Sequence, residues 1–315
     1  MEPIIWLVLP VVVIVGLGYA AVRFDFVSQA ANEGITKFVF VVALPALIFR
    51  NLVYSDIAGL SQFIWKILVS YYAGALAIMV LGIVVAQMVF RMGRAEQNIF
   101  AVGASHSNLI LLGVPAVLIL MGPKFVTPLV LVVGVHAMFM AILLTLVSHI
   151  RAGKAGDAPK AVWASVVNQA KNPIFIALLL GIVYSLFIQG EYKLPATVNS
   201  ILEILGRAVL PASLFGLGGM MVRYKIGSQV PQAAAVSALK LVVFPVVVWL
   251  LAKQALGLNT WAWAAAMLAA MPVGFNMHNM ASRSQNGAAL ASTTTALSTI
   301  LSVIAVIALL YLQRG

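Results

Sequence analysis

The sequence predicts an all-α integral membrane protein in which ten transmembrane helices form two inverted five-helix repeats. Composition is the first observation behind this reading: 63% of the 315 residues are hydrophobic and 9% charged, with a mean hydropathy of +1.07. A soluble domain carries about 25% charged residues. Length is the second, because a crossing helix needs about 20 mostly apolar residues, which leaves room for about ten crossings and no large soluble domain. The third is an internal repeat. Leu44-Pro45-Ala46-Leu47-Ile48-Phe49 recurs as Leu210-Pro211-Ala212-Ser213-Leu214-Phe215, identical at four of six positions and offset by 166. An odd number of spans per half inverts the second copy relative to the first. Such a chain reads as a transporter rather than a receptor with an ectodomain or a membrane-tethered enzyme.

In chain order, apolar runs fall near 4–22, 35–54, 64–90, 97–121 and 125–149, then near 173–190, 198–222, 232–252, 260–282 and 288–312. The halves are therefore 1–150 and 173–315, joined by a polar linker at 151–172 that contains Gly153, Gly156 and Pro159. The first run follows Glu2 with no basic segment before it, and reads as a retained helix rather than a cleaved signal. Eleven of the nineteen basic residues lie in connections after odd-numbered spans and six on the opposite side. The positive-inside rule then makes the linker cytoplasmic and puts both termini outside. The net charge of +11 marks topology, not nucleic-acid binding. With no cysteine, disulfides, thiolate metal sites and thiol catalysis are excluded; no metal or cofactor is called for.

Two spans are interrupted. In the fourth, Gly103-Ala104-Ser105-His106-Ser107-Asn108 precedes Gly113-Val114-Pro115, and in the ninth Met271-Pro272-Val273-Gly274-Phe275 precedes Asn276-Met277-His278-Asn279. Proline removes a backbone donor and glycine weakens helix, so backbone groups are released at membrane depth. Unwound backbone there is tolerated where it is buried in protein or lines a wet cavity. Gly113, Pro115, Pro272 and Gly274 are read as the helix breakers. Asn108 and Asn276, which are 168 apart, are the leading substrate contacts, with Ser107 and Asn279 next. His106 and His278 adjoin them and can titrate near neutral pH, which makes them the candidate places for proton coupling, with hydrogen-bonded structural polarity as the alternative reading.

The eight acids, Glu2, Asp25, Glu33, Asp56, Glu96, Asp157, Glu191 and Glu203, fall in loops or at span ends. A core without carboxylates disfavours a cation antiporter. Half-helix N-termini and Asn amides suit an anion, and an organic carboxylate is the natural candidate. Lys240, eight residues into its span, reads first as a snorkelling side chain and second as a positive charge near the path. Arg50 either lines the outer end of a pathway or caps it. His136 reads as a packed, hydrogen-bonded residue, and the run Ser292 to Ser302 as hydroxyls that bond helix backbone. Three alternatives stand beside an anion carrier: a sodium-coupled symporter, a passive channel or sensor, and an intramembrane enzyme. The enzyme is set aside because no intramembrane acid orients either histidine.

With these residues laid out, the chain resembles the auxin efflux carrier family, whose bacterial members include carriers of malonate and malate. The resemblance covers essentially the whole chain. It rests on ten spans with a central loop, the two Leu-Pro-Ala segments, the run from Ser107-Asn108 to Gly113-Val114-Pro115, and that from Pro272-Val273-Gly274 to Met280-Ala281-Ser282. It implies a fold related to bile-acid symporters and sodium/proton antiporters, with crossed broken helices 4 and 9. Spans 1, 2, 6 and 7 would form a scaffold, and spans 3–5 and 8–10 a transport domain moving in an elevator-like cycle. The asparagine that binds substrate carboxylate in the plant carriers maps to Asn108. Plant members have a second proline in the ninth-span motif, where this chain has Asn276-Met277-His278-Asn279. A small dicarboxylate therefore fits better than an indole acid. The resemblance further implies a bacterial cytoplasmic (inner) membrane, lipid and a small organic anion as partners, and leaves open a homodimer through the scaffold helices.

Overall fold

Thirteen helices carry the described residues of the computed structural model, which are 4–122, 125–188, 194–274, 276–281 and 285–314. The side chains of Thr260, Asn276, Asn279, Gln285, Asn286 and Arg314 lie outside that description. In chain order the helices are α1 (Ile4–Arg23), α2 (Gln29–Val53), α3 (Ile57–Met88), α4 (Arg94–Ser105), α5 (Leu109–Leu120), α6 (Val126–Arg151) and α7 (Ala158–Ala170). They continue with α8 (Pro173–Phe187), α9 (Ala196–Met221), α10 (Val230–Ala255), α11 (Asn259–Ala269), α12 (Asn276–Ala281) and α13 (Gln285–Arg314). Among the described residues, seven of these are long and apolar enough to cross a membrane, namely α1, α2, α3, α6, α9, α10 and α13. The chain is thus an all-helical integral membrane protein. Starts follow local chemistry: Asp56 caps α3 by accepting from the Gly59 N–H at 2.8 Å, and Asn172 caps α8 through Ile174 at 2.9 Å.

Three times, a five-residue π turn comes immediately before an X-Pro pair. Val39–Ala43 precedes Leu44-Pro45, Leu109–Gly113 precedes Val114-Pro115, and Leu239–Val243 precedes Phe244-Pro245. A proline ring clashes with the carbonyl four residues back and has no N–H to give, and a wider turn relieves both problems without ending the helix. Gly113 and Pro115 accordingly lie inside α5. The fourth span opens upstream, between Ser105 and Leu109.

The 151–172 segment is largely helical. Pro159, at the start of a helix where its missing N–H is harmless, begins α7, which bends by 77° into α8 and is pinned to α6 by a Thr145–Ser165 hydroxyl contact of 3.0 Å. The glycines before it mask this helix in a linear reading.

Packing joins α1 to α9 and α2 to α8 and α9 in one group, and α3, α4 and α10–α13 in another; α5 and α6 touch both, and α1–α13 and α3–α8 contacts also link them. The α1–α9 crossing is a backbone contact. A Cβ on Gly18 would fall 2.0 Å from the Phe215 carbonyl oxygen, and one on Gly218 1.9 Å from that of Val15. Buried Asn32 of α2 donates its Nδ2 to the Gly216 carbonyl at 3.0 Å. Ion pairs also tie α2 to the α9 region: Arg50 to Glu203 at 2.9 Å, with Arg50 Nε on Asn199 at 2.9 Å, and Glu33 to Arg223 at 2.5 Å. Arg50 is therefore a tie between helices. Replacing Gly218→Leu forces the helices apart and should lower stability by about 1–3 kcal/mol or more, read as an earlier thermal unfolding in detergent. Gly16→Ala, whose Cβ meets nothing within 4 Å, should leave it unchanged.

Candidate functional site

The two interruptions cross each other. Ser107 and Val273 form an isolated antiparallel bridge, with Asn108 N–H donating to the Pro272 carbonyl at 2.8 Å and Gly274 N–H to the His106 carbonyl at 2.9 Å. Val273 N–H is satisfied by Ser298 Oγ of α13 at 3.2 Å. A Cβ on Gly274 would come within 3.0 Å of the Ser107 carbonyl oxygen, so glycine lets the two strands approach. Asn108 Oδ1 accepts from Leu111 N–H at 3.2 Å and caps α5, leaving its Nδ2 as the donor. Helices α4 and α11 end here and α5 and α12 begin. Two negative helix ends and two positive ones thus meet.

Lys240 closes one side of the crossing. Its Nζ donates to Ser107 Oγ at 2.8 Å and to the Ala269 carbonyl at 2.5 Å, and Tyr71 Oη donates to the same Ser107 Oγ at 2.8 Å. Lys240 and Tyr71 are fully buried. This corrects the snorkelling expected from sequence: Lys240 lies ten residues, about 15 Å, beyond the start of α10, too far for its stem to reach an interface, and a π turn sets it against the crossing. With both Ser107 lone pairs filled, that hydroxyl keeps only its own proton to donate.

A cavity of about 730 Å³ opens from the crossing. His106, Ser107, Asn108 and Gly274 bound its deep end, Val133, His136, Met140, Thr145 and His149 line it along α6, and Gln169 and Asn172 stand at the α7–α8 bend. Phe40 of α2 and Ile174 of α8 complete it. No Asp, Glu, Lys or Arg is among the described lining residues. His136 is 9% exposed and its Nδ1 has no hydrogen-bond partner, while its ring lies 6.2 Å edge-on from His106.

The structure brings Asn108, Ser107 and His106 together on this cavity, with Pro272 and Gly274 in the crossing itself. His278 is directed elsewhere: its Nε2 lies 2.9 Å from Thr295 Oγ1 and its ring stacks on Tyr224 at 4.6 Å. The side chains of Asn276 and Asn279 lie outside the described residues. Gly113 packs near Met271, and Pro115 is buried in α5.

The membrane transport protein family matches residues 3–310, and the chain belongs to that family, the auxin efflux carriers. A Rhizobium meliloti (strain 1021) protein named "Putative malonate transporter" is 24% identical over 324 residues, spanning 100% of this chain and 97% of the relative. A Methanothermobacter thermautotrophicus protein named "Uncharacterized transporter" is 26% identical over 272 residues, 84% of each chain. The mouse "Lysosomal cholesterol signaling protein" is 26% identical over 218 residues, 66% of this chain. The matched region is only 25% of that relative's length. Membership of a transport family also removes the enzyme reading.

Sequence reasoning missed Tyr71, read His136 as a packed residue, placed Lys240 near the path only as a second reading after snorkelling, and did not separate Ser298 from the run of hydroxyls around it. Tyr71 and Lys240 are polar groups well inside apolar runs, which is a usable signal. Ser298 is one of several similar hydroxyls: Thr299 and Ser302 back-bond their own helix, to the Thr295 and Thr299 carbonyls at 2.7 Å, whereas Ser292 and Thr293 bond the 225–228 segment and Thr295 meets His278. Ser298→Ala strands the Val273 N–H and should cost about 1–3 kcal/mol, the penalty for an unsatisfied buried donor. Thermal unfolding should separate it from the milder Ser302→Ala.

Proposed function

We propose that this member of the membrane transport protein family is a secondary carrier of small organic anions. Dicarboxylates of the malonate or malate type come first and auxin-like monocarboxylates second. The observation that carries the reading is a cavity with no acid among its described lining residues that ends on the Asn108 amide and the first turn of α5. Asn108 Nδ2, the remaining Ser107 proton and the positive end of α5 are donors for one carboxylate. His136, a polar side chain on the cavity wall whose buried Nδ1 has no hydrogen-bond partner, is proposed as the contact for the other end of a two-headed anion. His106 borders the same cavity, its ring 6.2 Å from that of His136. The full-length relationship to a protein named as a malonate transporter supports this substrate class.

Transport proceeds by alternating access. On this reading the fold is ten crossings in two inverted repeats, with α4–α5 and α11–α12 each a broken crossing and α8 the sixth. Helices α1, α2, α8 and α9 form the scaffold, and α3–α6 with α10–α13 move past it. The protein lies in the cytoplasmic membrane with its termini outside, so the cavity, which reaches the α7–α8 bend, faces inward.

Losing one hydrogen bond to a charged ligand costs about 1.5–3 kcal/mol, so Asn108→Ala should weaken malonate counterflow in proteoliposomes by about tenfold to more than a hundredfold in apparent affinity. Folding should be retained, and unchanged affinity would sink the assignment. Because the chain has no cysteine, sidedness is testable with single replacements. In intact cells an impermeant maleimide should label Ser61→Cys and leave Lys154→Cys unlabelled until the membrane is opened.

A further inference from the structure

We infer that the Lys240 ammonium is a tethered counter-cation that occupies the place a mobile coupling ion would take at the crossing, so that transport runs without sodium. The inference rests on the carrier reading above. Its ground is the ligand set. Lys240 Nζ is held by a hydroxyl oxygen, Ser107 Oγ at 2.8 Å, and a main-chain carbonyl oxygen, Ala269 O at 2.5 Å, with the Phe244 ring 4.7 Å away. Carbonyls at half-helix C-terminal ends and neighbouring hydroxyls are the oxygens that coordinate small cations in transporters built on broken helices. Ala269 is the last residue of α11, and α4 ends two residues before Ser107, so the negative ends of both half-helices face this point.

Charge accounting leads the same way. Lys240 is fully buried, and none of the described acids, Asp25, Glu33, Asp56, Glu96, Asp157 and Glu203, is buried. An ammonium taken out of water needs compensation. Here it comes from oxygen dipoles and an aromatic face, and an anion bound at Asn108, the neighbour of Ser107, supplies the remainder. The cation is fixed to α10 and so travels with the site in both directions. A mobile ion bound there would instead be released with the substrate and would couple its gradient to transport.

The test compares wild type with Lys240→Met, which keeps the apolar stem and empties the cation position. In detergent, sodium should raise the unfolding temperature of Lys240→Met and leave wild type unmoved, potassium and choline being the controls. This readout needs no substrate, so it stands apart from the malonate assignment. In proteoliposomes, wild-type counterflow should be equal in sodium and choline. The variant should lose about tenfold or more in choline, the effect of one charge-assisted hydrogen bond, and regain part of that in sodium. A folded Lys240→Met with no sodium response overturns the inference. So does sodium-stimulated transport by wild type, which decides the matter without any variant should Lys240→Met fail to fold. No exchange of any organic anion by folded wild type, with the sodium shift present in the variant, defeats the carrier reading and leaves the cation position standing.

Discussion

Everything at the centre of this protein depends on one constraint: backbone groups released inside a membrane must find partners within the protein. Each break solves this for the other. The Asn108 N–H that α4 no longer uses goes to Pro272, and the Gly274 N–H freed in the second break goes to His106. Neither interruption is stable alone, because an unpaired buried donor costs about 1–3 kcal/mol. The crossing, the glycine at its closest approach and the serine of α13 that receives Val273 are consequences of the same accounting.

That accounting also fixes the electrostatics. Ending two helices and starting two more at one place concentrates dipole ends of both signs, which the chain keeps apart. Lys240 binds where α11 ends, and Asn108 caps where α5 begins. Ser107 joins them, since its oxygen takes Lys240 and Tyr71 and its proton is left for the other side. In a low dielectric such chains of hydrogen bonds polarise one another. On the proposed reading, charge on an anion bound at Asn108 and charge on Lys240 would communicate through a single hydroxyl, that of Ser107.

The sequence made the breaks legible because helix breakers and polar residues stand out against apolar runs, and its two interrupted segments are the ones that cross. Their mutual pairing was not legible. Ser107 and Lys240 are 133 positions apart, and nothing local to either says that they meet. Position alone favoured snorkelling for Lys240, and only the π turn ahead of Pro245 and the neighbouring half-helix end explain why it turns inward. For α7, Gly153, Gly156 and Pro159 read as a linker, yet proline at a helix start is a nucleating residue. His136 resembled any packed histidine, and its buried, unpartnered Nδ1 follows from its place beside the crossing, not from its neighbours in sequence.

Where the strong bonds lie constrains how such a site can move. Every hydrogen bond of the crossing described above joins α3, α4, α5, α10, α11 or the residues around them to one another or to α13: Asn108–Pro272, Gly274–His106, Val273–Ser298, Tyr71–Ser107, Lys240–Ser107 and Lys240–Ala269. None of these reaches α1, α2, α8 or α9. Those four helices are held together by a separate set of contacts, the glycine approach of α1 and α9, the Asn32 bond and the Arg50–Glu203 pair. What these helices add to the cavity wall is the apolar pair Phe40 and Ile174 with the polar Asn172 at its mouth. Apolar contacts are non-directional and are exchanged for equivalent ones when surfaces slide, whereas buried hydrogen bonds are not. A displacement between the two groups would therefore carry the crossing, its lysine and its bound anion as one unit, and would break no bond on which the site depends.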